Sequence, residues 1–357
     1  MPPASDDELV VWIALARAPR IGPVTFFQLL DRFGSPQDAL RGMPSIQADL
    51  DAARRELDAT RQIGGHILTA ADDNFPEALS QLSPPPPLIS ARGKLDLFAK
   101  PAIALVGARD ASAAGRKIAQ MLAAGLGEHR LVTVSGLARG IDGEAHAASL
   151  ESGTIAVLAG GVDQVYPPQH AELYDTISEQ GIIVSERPFG HRAGAKDFPR
   201  RNRIITGLAI GTVVIEAAER SGSLISARLA GEQGREVMAV PGSPLDPRSA
   251  GTNRLLRNGA TLVRHAGDVV EAISSQLGQT GPVRWQHPLP LDPASDAGPP
   301  PDGLSARILE ALSPTPLPIA EIAHASACSA RQCAAVLMEL EIEGKALTHA
   351  GGLASRA

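Results

Sequence analysis

Aromatic side chains make up only 3% of the 357 residues, so any core must be aliphatic and rich in alanine. An aromatic ring in a polar loop of such a chain has to be weighed by itself. Cysteine is nearly absent. Cys328 and Cys333 stand five apart, where a single helix would set them at different angles, and they offer no disulfide framework. No apolar run reaches the ~20 residues that a membrane span needs. The N-terminus, Met1-Pro2-Pro3-Ala4-Ser5-Asp6-Asp7-Glu8, is acidic where a secretory signal is basic. These absences lead to the expectation of a soluble cytoplasmic protein with no membrane partner. The formal net charge of −6 excludes a chain that coats nucleic acid over its whole surface. It leaves room for a local basic groove, because screening confines each patch to its own neighbourhood.

Several motifs of chemistry are also missing. No G-x-G-x-x-G follows the first expected parallel strand, which excludes the dinucleotide fingerprint. No G-x-x-x-x-G-K-[ST] occurs; Gly190 to Lys196 has the wrong spacing and no hydroxyl after Lys196. There is no G-x-S-x-G elbow, and the histidines are scattered without metal spacing. No catalytic residue, metal or cofactor is therefore expected. Asp142 and His146 are four apart and can share a helix face, which reads more simply as a capping carboxylate and a partly buried imidazole.

What is present is an alternating pattern with two flanking segments. Residues 1–69 read as a helical domain, with an apolar stripe from Glu8 to Ala18 and Phe26, Leu29, Leu30 and Phe33 at helical spacing. Ile21-Gly22-Pro23 between these helices is either an ordinary turn or the hairpin of a helix-hairpin-helix (SAM-like) unit, whose N–H groups can meet DNA phosphates. Residues 70–277 alternate short β-branched runs with helical stretches. Strands are expected at Ile103–Val106, Leu131–Val134, Thr154–Leu158, Gly181–Ser185, Thr212–Ile215, Glu236–Val240 and Thr261–Val263. Continuous apolar strands separated by helices imply an α/β domain, a Rossmann-like, mostly parallel sheet covered on both faces. Such sheets bind ligands at the carboxyl ends of their strands. Residues 278–302 are rich in Pro, Gly, Ser and Asp and read as a flexible linker. Residues 303–357 read as three short helices and a hairpin, a winged-helix-like unit. It carries four cations against five acids, too little positive charge for a recognition helix, and reads as an interaction or regulatory module.

The loops after the strands carry the candidate site. Gly107 and Arg109 follow the first strand, Arg139 the second, Gly161 the third, and Ser221 and Gly222 the fifth. Glycine and small hydroxyls beside helix N-termini suit an anion, although one such loop alone is usually a turn. The charge signal lies after the fourth strand. Arg187, Arg192, Lys196, Arg200, Arg201 and Arg203 face only one acid, Asp197, a local +5 in an acidic chain. The bland reading is a solvated loop with surface ion pairs. Phe198 stands among these cations and either stacks an unpaired base or staples the helix entry onto the core.

Several segments, in order, resemble the DNA-processing protein A (DprA/Smf) family: Ile103 to Arg109 (IALVGAR), Val134 to Asp142 (VSGLARGID), Thr154 to Gly161 (TIAVLAGG), Phe198 to Ile205 (FPRRNRII), Ser221 to Leu224 (SGSL) and Val240 to Gly242 (VPG). The resemblance runs from about Phe75 to Ala260. It implies a Rossmann-like core that binds single-stranded DNA without sequence preference, a homodimer, and the loading of a RecA-type recombinase in natural transformation. It maps the binding pocket onto Arg109, Lys196, Phe198, Arg200 or Arg201, and Arg203, with Gly161, Asn202 and Ser221 on the same edge. Ala108 stands where the family usually has Thr or Ser, which removes one hydroxyl donor. Two other readings compete. One is a nucleoside-monophosphate phosphoribohydrolase, whose P-G-G-x-G-T-x-x-E signature is replaced here by Glu219-Arg220-Ser221-Gly222-Ser223. The other is a protein–protein adaptor whose basic loop docks an acidic partner.

Overall fold

A computed structural model describes residues 2–277, 303–349 and 352–357. The expected linker, residues 278–302, lies outside the described residues. The described residues fall into two compact units, one drawn from Met1–Ile13 and Leu50–Gly281, the other from Ala14–Asp49 and Pro282–Ala357.

The chain begins with four helices: α1 (Asp6–Arg17), α2 (Pro23–Phe33), α3 (Pro36–Gly42) and α4 (Leu50–Gln62). α2 ends at Phe33, the last residue of the apolar spacing read from the sequence. Gly34 takes φ +82°, and the Ser35 hydroxyl caps α3 by accepting from Asp38 N at 3.1 Å. Next come β1 (Gly65–Thr69), α5 (Glu77–Ser80) and β2 (Leu88–Gly93). These two strands correct the sequence reading, which ran the helical segment on to Thr69 and expected no strand before Ile103. β1 holds Gly65 and His66, and β2 holds Arg92 and Gly93, so neither shows a sustained apolar pattern. Each is fixed instead by antiparallel pairing, β1 on β2 and β2 on β6.

The remainder alternates as expected: β3 (Ala102–Val106), α6 (Ala113–Glu128), β4 (Val132–Ser135), α7 (Ile141–Ala148), β5 (Thr154–Leu158), α8 (Ala171–Gln180), β6 (Ile182–Ser185), α9 (Asp197–Leu208), β7 (Gly211–Val214), α10 (Ser223–Glu232), β8 (Glu236–Ala239), α11 (Ala250–Arg257), β9 (Thr261–Leu262) and α12 (Ala266–Leu277). All seven expected strands are present, with no end shifted by more than one residue. The sheet runs β1-β2-β6-β5-β4-β3-β7-β8-β9, parallel from β6 to β9. Every residue of β3, β4, β5, β6 and β7 is buried, as a sheet covered on both faces requires. Alternation divides the core in two. Ala102, Ala104 and Val106 face one layer with Ile204 and Ile205 of α9, while Ile103 and Leu105 face the other with Leu122 and Leu126 of α6. The winding reverses between β3 and β7, which makes that crevice the topological switch point.

In the second unit, α13 (Leu304–Ala311), β10 (Leu317–Pro318), α14 (Ile319–Ala325), α15 (Ala330–Ile342), β11 (Ala346–His349) and β12 (Leu353–Arg356) form the expected winged helix, with β10 as a third strand. Ser329 and Gln332 close a capping box at the start of α15. The far end of α15 meets the helical hairpin of the same unit. Arg32 of α2 pairs with Glu339 at 3.1 Å, and the Thr25 hydroxyl donates to Glu341 at 3.2 Å. Glu341 also accepts from Thr348 N at 3.2 Å and from its hydroxyl at 2.7 Å.

Candidate functional site

The expected site residues leave the sheet on five loops at the carboxyl ends of β3 to β7. Asp197 organises the longest of these, the stretch that leads into α9. Its carboxylate pairs with Arg187 and accepts from His191 Nε2 and Gly194 N, both at 2.9 Å. Burial acts to raise this carboxyl, but the hydrogen bonds from His191 and Gly194 and the Arg187 charge outweigh it and hold Asp197 below its ordinary range. Asp163, beyond β5, accepts from Gly190 N at 2.8 Å and pins the other end of the stretch.

The six cations of this stretch therefore divide. Arg187 is spent on Asp197, and Arg203 on Glu186. Arg201, only 8% exposed, points inward, and its Nη1 donates to the carbonyls of Gly136 and Val157, each at 2.6 Å. Arg192, Lys196 and Arg200 are exposed with no ion-pair partner among the described residues, and so is Arg109 from the loop after β3. Arg139 is exposed and lies 3.6 Å from Asp110, a solvent-screened pair.

Phe198 sits half-buried on the first turn of α9. The Arg109 guanidinium lies over its ring, 4.9 Å from the centroid. On another side stands Tyr166, ring centroids 5.6 Å apart and tilted by 58°. Tyr166 is 51% exposed and was not among the expected site residues. Its signal was its rarity, as one of two tyrosines in an aromatic-poor chain. Tyr166, Phe198 and Arg201 line a shallow pocket floored by Gly136, Ala138 and Gly160.

Beneath this pocket a buried polar layer fixes the loops. A Cβ on Gly136 would collide with the Arg201 guanidinium, so that position has room only for glycine. The peptide of Gly136 is gripped from both sides, since its N–H donates to Asp142 at 3.1 Å while its carbonyl accepts from Arg201. Burial pushes Asp142 up, opposed by the Arg201 charge, and pushes Arg201 down to about 10. His146 is wholly buried. Its Nε2 accepts from Leu137 N at 3.3 Å, which leaves Nδ1–H to donate to Thr154 Oγ1 at 2.7 Å, and the Thr154 hydroxyl in turn donates to Thr133 O at 3.2 Å. Burial drives its pKa down to about 3, so the ring is neutral at working pH.

The other expected residues are arranged as follows. Gly107 packs on Ile141, Gly161 lies beside the Pro188 carbonyl, and Ser221 Oγ meets Ser223 Oγ at 2.7 Å. Gly222 is exposed, and its carbonyl is approached by Asn202 Nδ2 at 3.5 Å. Ala108 contributes its carbonyl, which accepts from Ile141 N at 3.2 Å. Among the described residues no group of three His, Cys, Asp or Glu is placed to hold a metal. Among them, too, no helix is long and apolar enough to cross a membrane.

Three family models match successive parts of the chain: a DprA-like N-terminal HHH domain over residues 6–63, DNA recombination-mediator protein A over 66–274, and a DprA winged helix domain over 292–352. The DNA processing protein DprA of Streptococcus pneumoniae is 45% identical over 201 residues, 56% of this chain and 71% of its own length. That of Bacillus subtilis is 39% identical over 222 residues, 61% of this chain and 75% of its own. The solved S. pneumoniae structure superposes with TM-score 0.65 at 32% identity, covering 75% of this chain and 98% of that one. DNA processing protein A from Helicobacter pylori, described for a unique single-stranded DNA binding mode, superposes with TM-score 0.55 at 27% identity, covering 59% and 96%.

Proposed function

The chain belongs to the DNA-processing protein A (DprA/Smf) family of recombination mediators, and on that premise we propose that it binds single-stranded DNA without sequence preference and hands it to a RecA-type recombinase. The observation that carries this reading is the composition of one sheet edge. Four exposed cations without acid partners among the described residues, Arg109, Arg192, Lys196 and Arg200, leave the same loops as two half-open rings, Phe198 and Tyr166, and Arg109 lies over the Phe198 ring. Phosphates need the charges, and unpaired bases need the rings. Gly107, Gly161, Ser221, Gly222, Asn202 and Arg139 border the same edge and offer backbone and side-chain donors. Arg201 and Arg203 support the site from within: one ties two strand ends together and the other anchors α9. The role is binding rather than catalysis, in the cytoplasm, and by a homodimer, in keeping with the family resemblance.

The test is a fluorescence-anisotropy titration of labelled poly-dT on the full chain, with a duplex of equal length as control, over a series of salt concentrations. Four phosphate contacts predict that log affinity falls with log salt with a slope of about −3. Single strands should bind in preference to the duplex. A folded protein that binds neither would overturn the proposal and favour the adaptor, whose basic loop would then be expected to take an acidic protein.

A further inference from the structure

The switch point between β3 and β7 is where this fold ordinarily receives a phosphate, at the N-terminus of the helix that follows the first parallel strand. Here that place is taken by a side chain of the protein itself. Glu216, directly beyond β7, is 8% exposed and reaches across to the start of α6. Its Oε2 accepts from Ser112 N at 2.9 Å, and its Oε1 accepts from the Ser112 hydroxyl. The same hydroxyl accepts from Gly115 N at 2.9 Å. A Cβ on Gly115 would collide with the Glu216 carboxyl carbon, so the first turn of α6 is shaped to receive a planar anionic group. Among the described residues no cation forms an ion pair with Glu216, and α6 has no acid of its own in its first turn. This buried carboxylate is therefore held by a peptide N–H, a hydroxyl and the positive end of a 16-residue helix, with the Arg248 charge acting on it from beyond ion-pair distance.

We infer that Glu216 is a built-in anion that closes the mononucleotide-phosphate site and so determines that this edge takes a strand rather than a free nucleotide. The inference rests on the single-stranded DNA reading for what the edge takes, though the closed site stands independently of it. A phosphate entering at α6 would have to displace a carboxylate already bonded there, and repulsion between the two anions prevents joint occupancy. The strand's phosphates are thereby left to Arg109, Lys196 and Arg200 on the α9 side of the crevice.

The experiment titrates 5′-AMP, and separately inorganic phosphate, into the full chain by calorimetry, using the unaltered protein, Glu216→Ala and Glu216→Gln. Poly-dT is titrated into the same samples. Glu216→Ala opens the site and should bind AMP and phosphate at least about tenfold more tightly than the unaltered protein. Glu216→Gln keeps an acceptor for Ser112 N and fills the same space, so it should bind neither any better. If Glu216→Ala is too unstable to titrate, its melting temperature becomes the readout. That temperature should rise with millimolar phosphate at matched ionic strength, while that of the unaltered protein should not. Equal affinity for AMP in the unaltered protein and a folded Glu216→Ala, or no phosphate effect on the melting of either, would overturn the inference. Loss of poly-dT binding by the unaltered protein, with the AMP difference intact, would overturn the DNA reading and leave the closed site standing.

Discussion

Phe198 is held between a guanidinium and a second ring before any base arrives, so little ordering remains for binding to impose. Replacing either Phe198 or Tyr166 with Ala should remove one stacking surface, about 1–3 kcal/mol, and weaken poly-dT binding roughly five- to 150-fold. Because neither residue is charged, the salt slope should stay put. Arg109→Ala should behave differently, with lower affinity and a slope shallower by about 0.7 per lost phosphate contact. Anisotropy titrations at three salt concentrations separate these signatures, and unchanged affinity in all three variants would remove the pocket from the proposal. His146 offers a test without ligand. Its folded pKa near 3 lies below the ordinary 6.5, so the unfolded chain takes up a proton that the folded chain refuses. Stability from this group is full above pH 6.5 and falls as pH drops toward 3, by up to about 1.4 kcal/mol per pH unit. Urea unfolding at pH 6.5 and pH 5 should show that loss, and His146→Gln should flatten it. Such residues differ in how far the sequence announces them. Phe198 stood out because cations stand beside it in the sequence, whereas Tyr166 follows a loop without cations and gains meaning only when the fold brings it to Phe198. Arg200 and Arg201 are adjacent in sequence, and only the direction each takes from α9 separates a surface cation from a buried tie.

At the level of elements, the C-terminal end of the stretch before α9 is tied together by one carboxylate, Asp197. Asp197→Asn would weaken its pairing with Arg187 and its hold on His191 and Gly194 N together. A buried charged hydrogen-bond centre of this kind contributes on the order of 3 kcal/mol. The expected result is faster amide exchange across residues 187–197, with β3 to β5 still protected, read by hydrogen-exchange mass spectrometry. Protection equal to that of the unaltered protein would show that the stretch is held by something else. The parallel strands were legible in the sequence because burial on both faces makes each a continuous apolar run. β1 and β2 were not, since their place depends on pairing with β6, which no local pattern encodes. The local charge of +5 was legible as a sum but not in its distribution: Glu186 and Asp197 absorb Arg203 and Arg187, Arg201 turns inward, and only the fold sets Arg109 over Phe198.

Across the whole molecule, negative charge dominates, yet four cations of the sheet edge, Arg109, Arg192, Lys196 and Arg200, have no acid partner among the described residues. The acids of α15 are spent elsewhere: Glu339 and Glu341 meet Arg32 and Thr25 of the helical hairpin in their own unit. The partner suggested by the acidic character of the C-terminal module thus includes the chain itself, which the sequence did not indicate because more than 250 residues separate the two parts. Arg32→Ala should change stability by less than about 1 kcal/mol, since that pair is partly exposed. Glu341→Ala, which strands Thr348 N, should cost about 1–3 kcal/mol. Thermal melts of the two variants should rank in that order, and the reverse order would contradict the assigned roles.

A unit sewn from two remote stretches also has a history in time. During synthesis the hairpin of residues 14–49 leaves the ribosome long before its companion exists. At ~5–20 residues per second the wait is roughly ten to fifty seconds. In that interval the chain can complete the parallel sheet, while Thr25 and Arg32 have nothing to meet. The sheet that carries the candidate DNA edge can therefore mature first, and residues 14–49 find their companion only once residues 303–357 have been made.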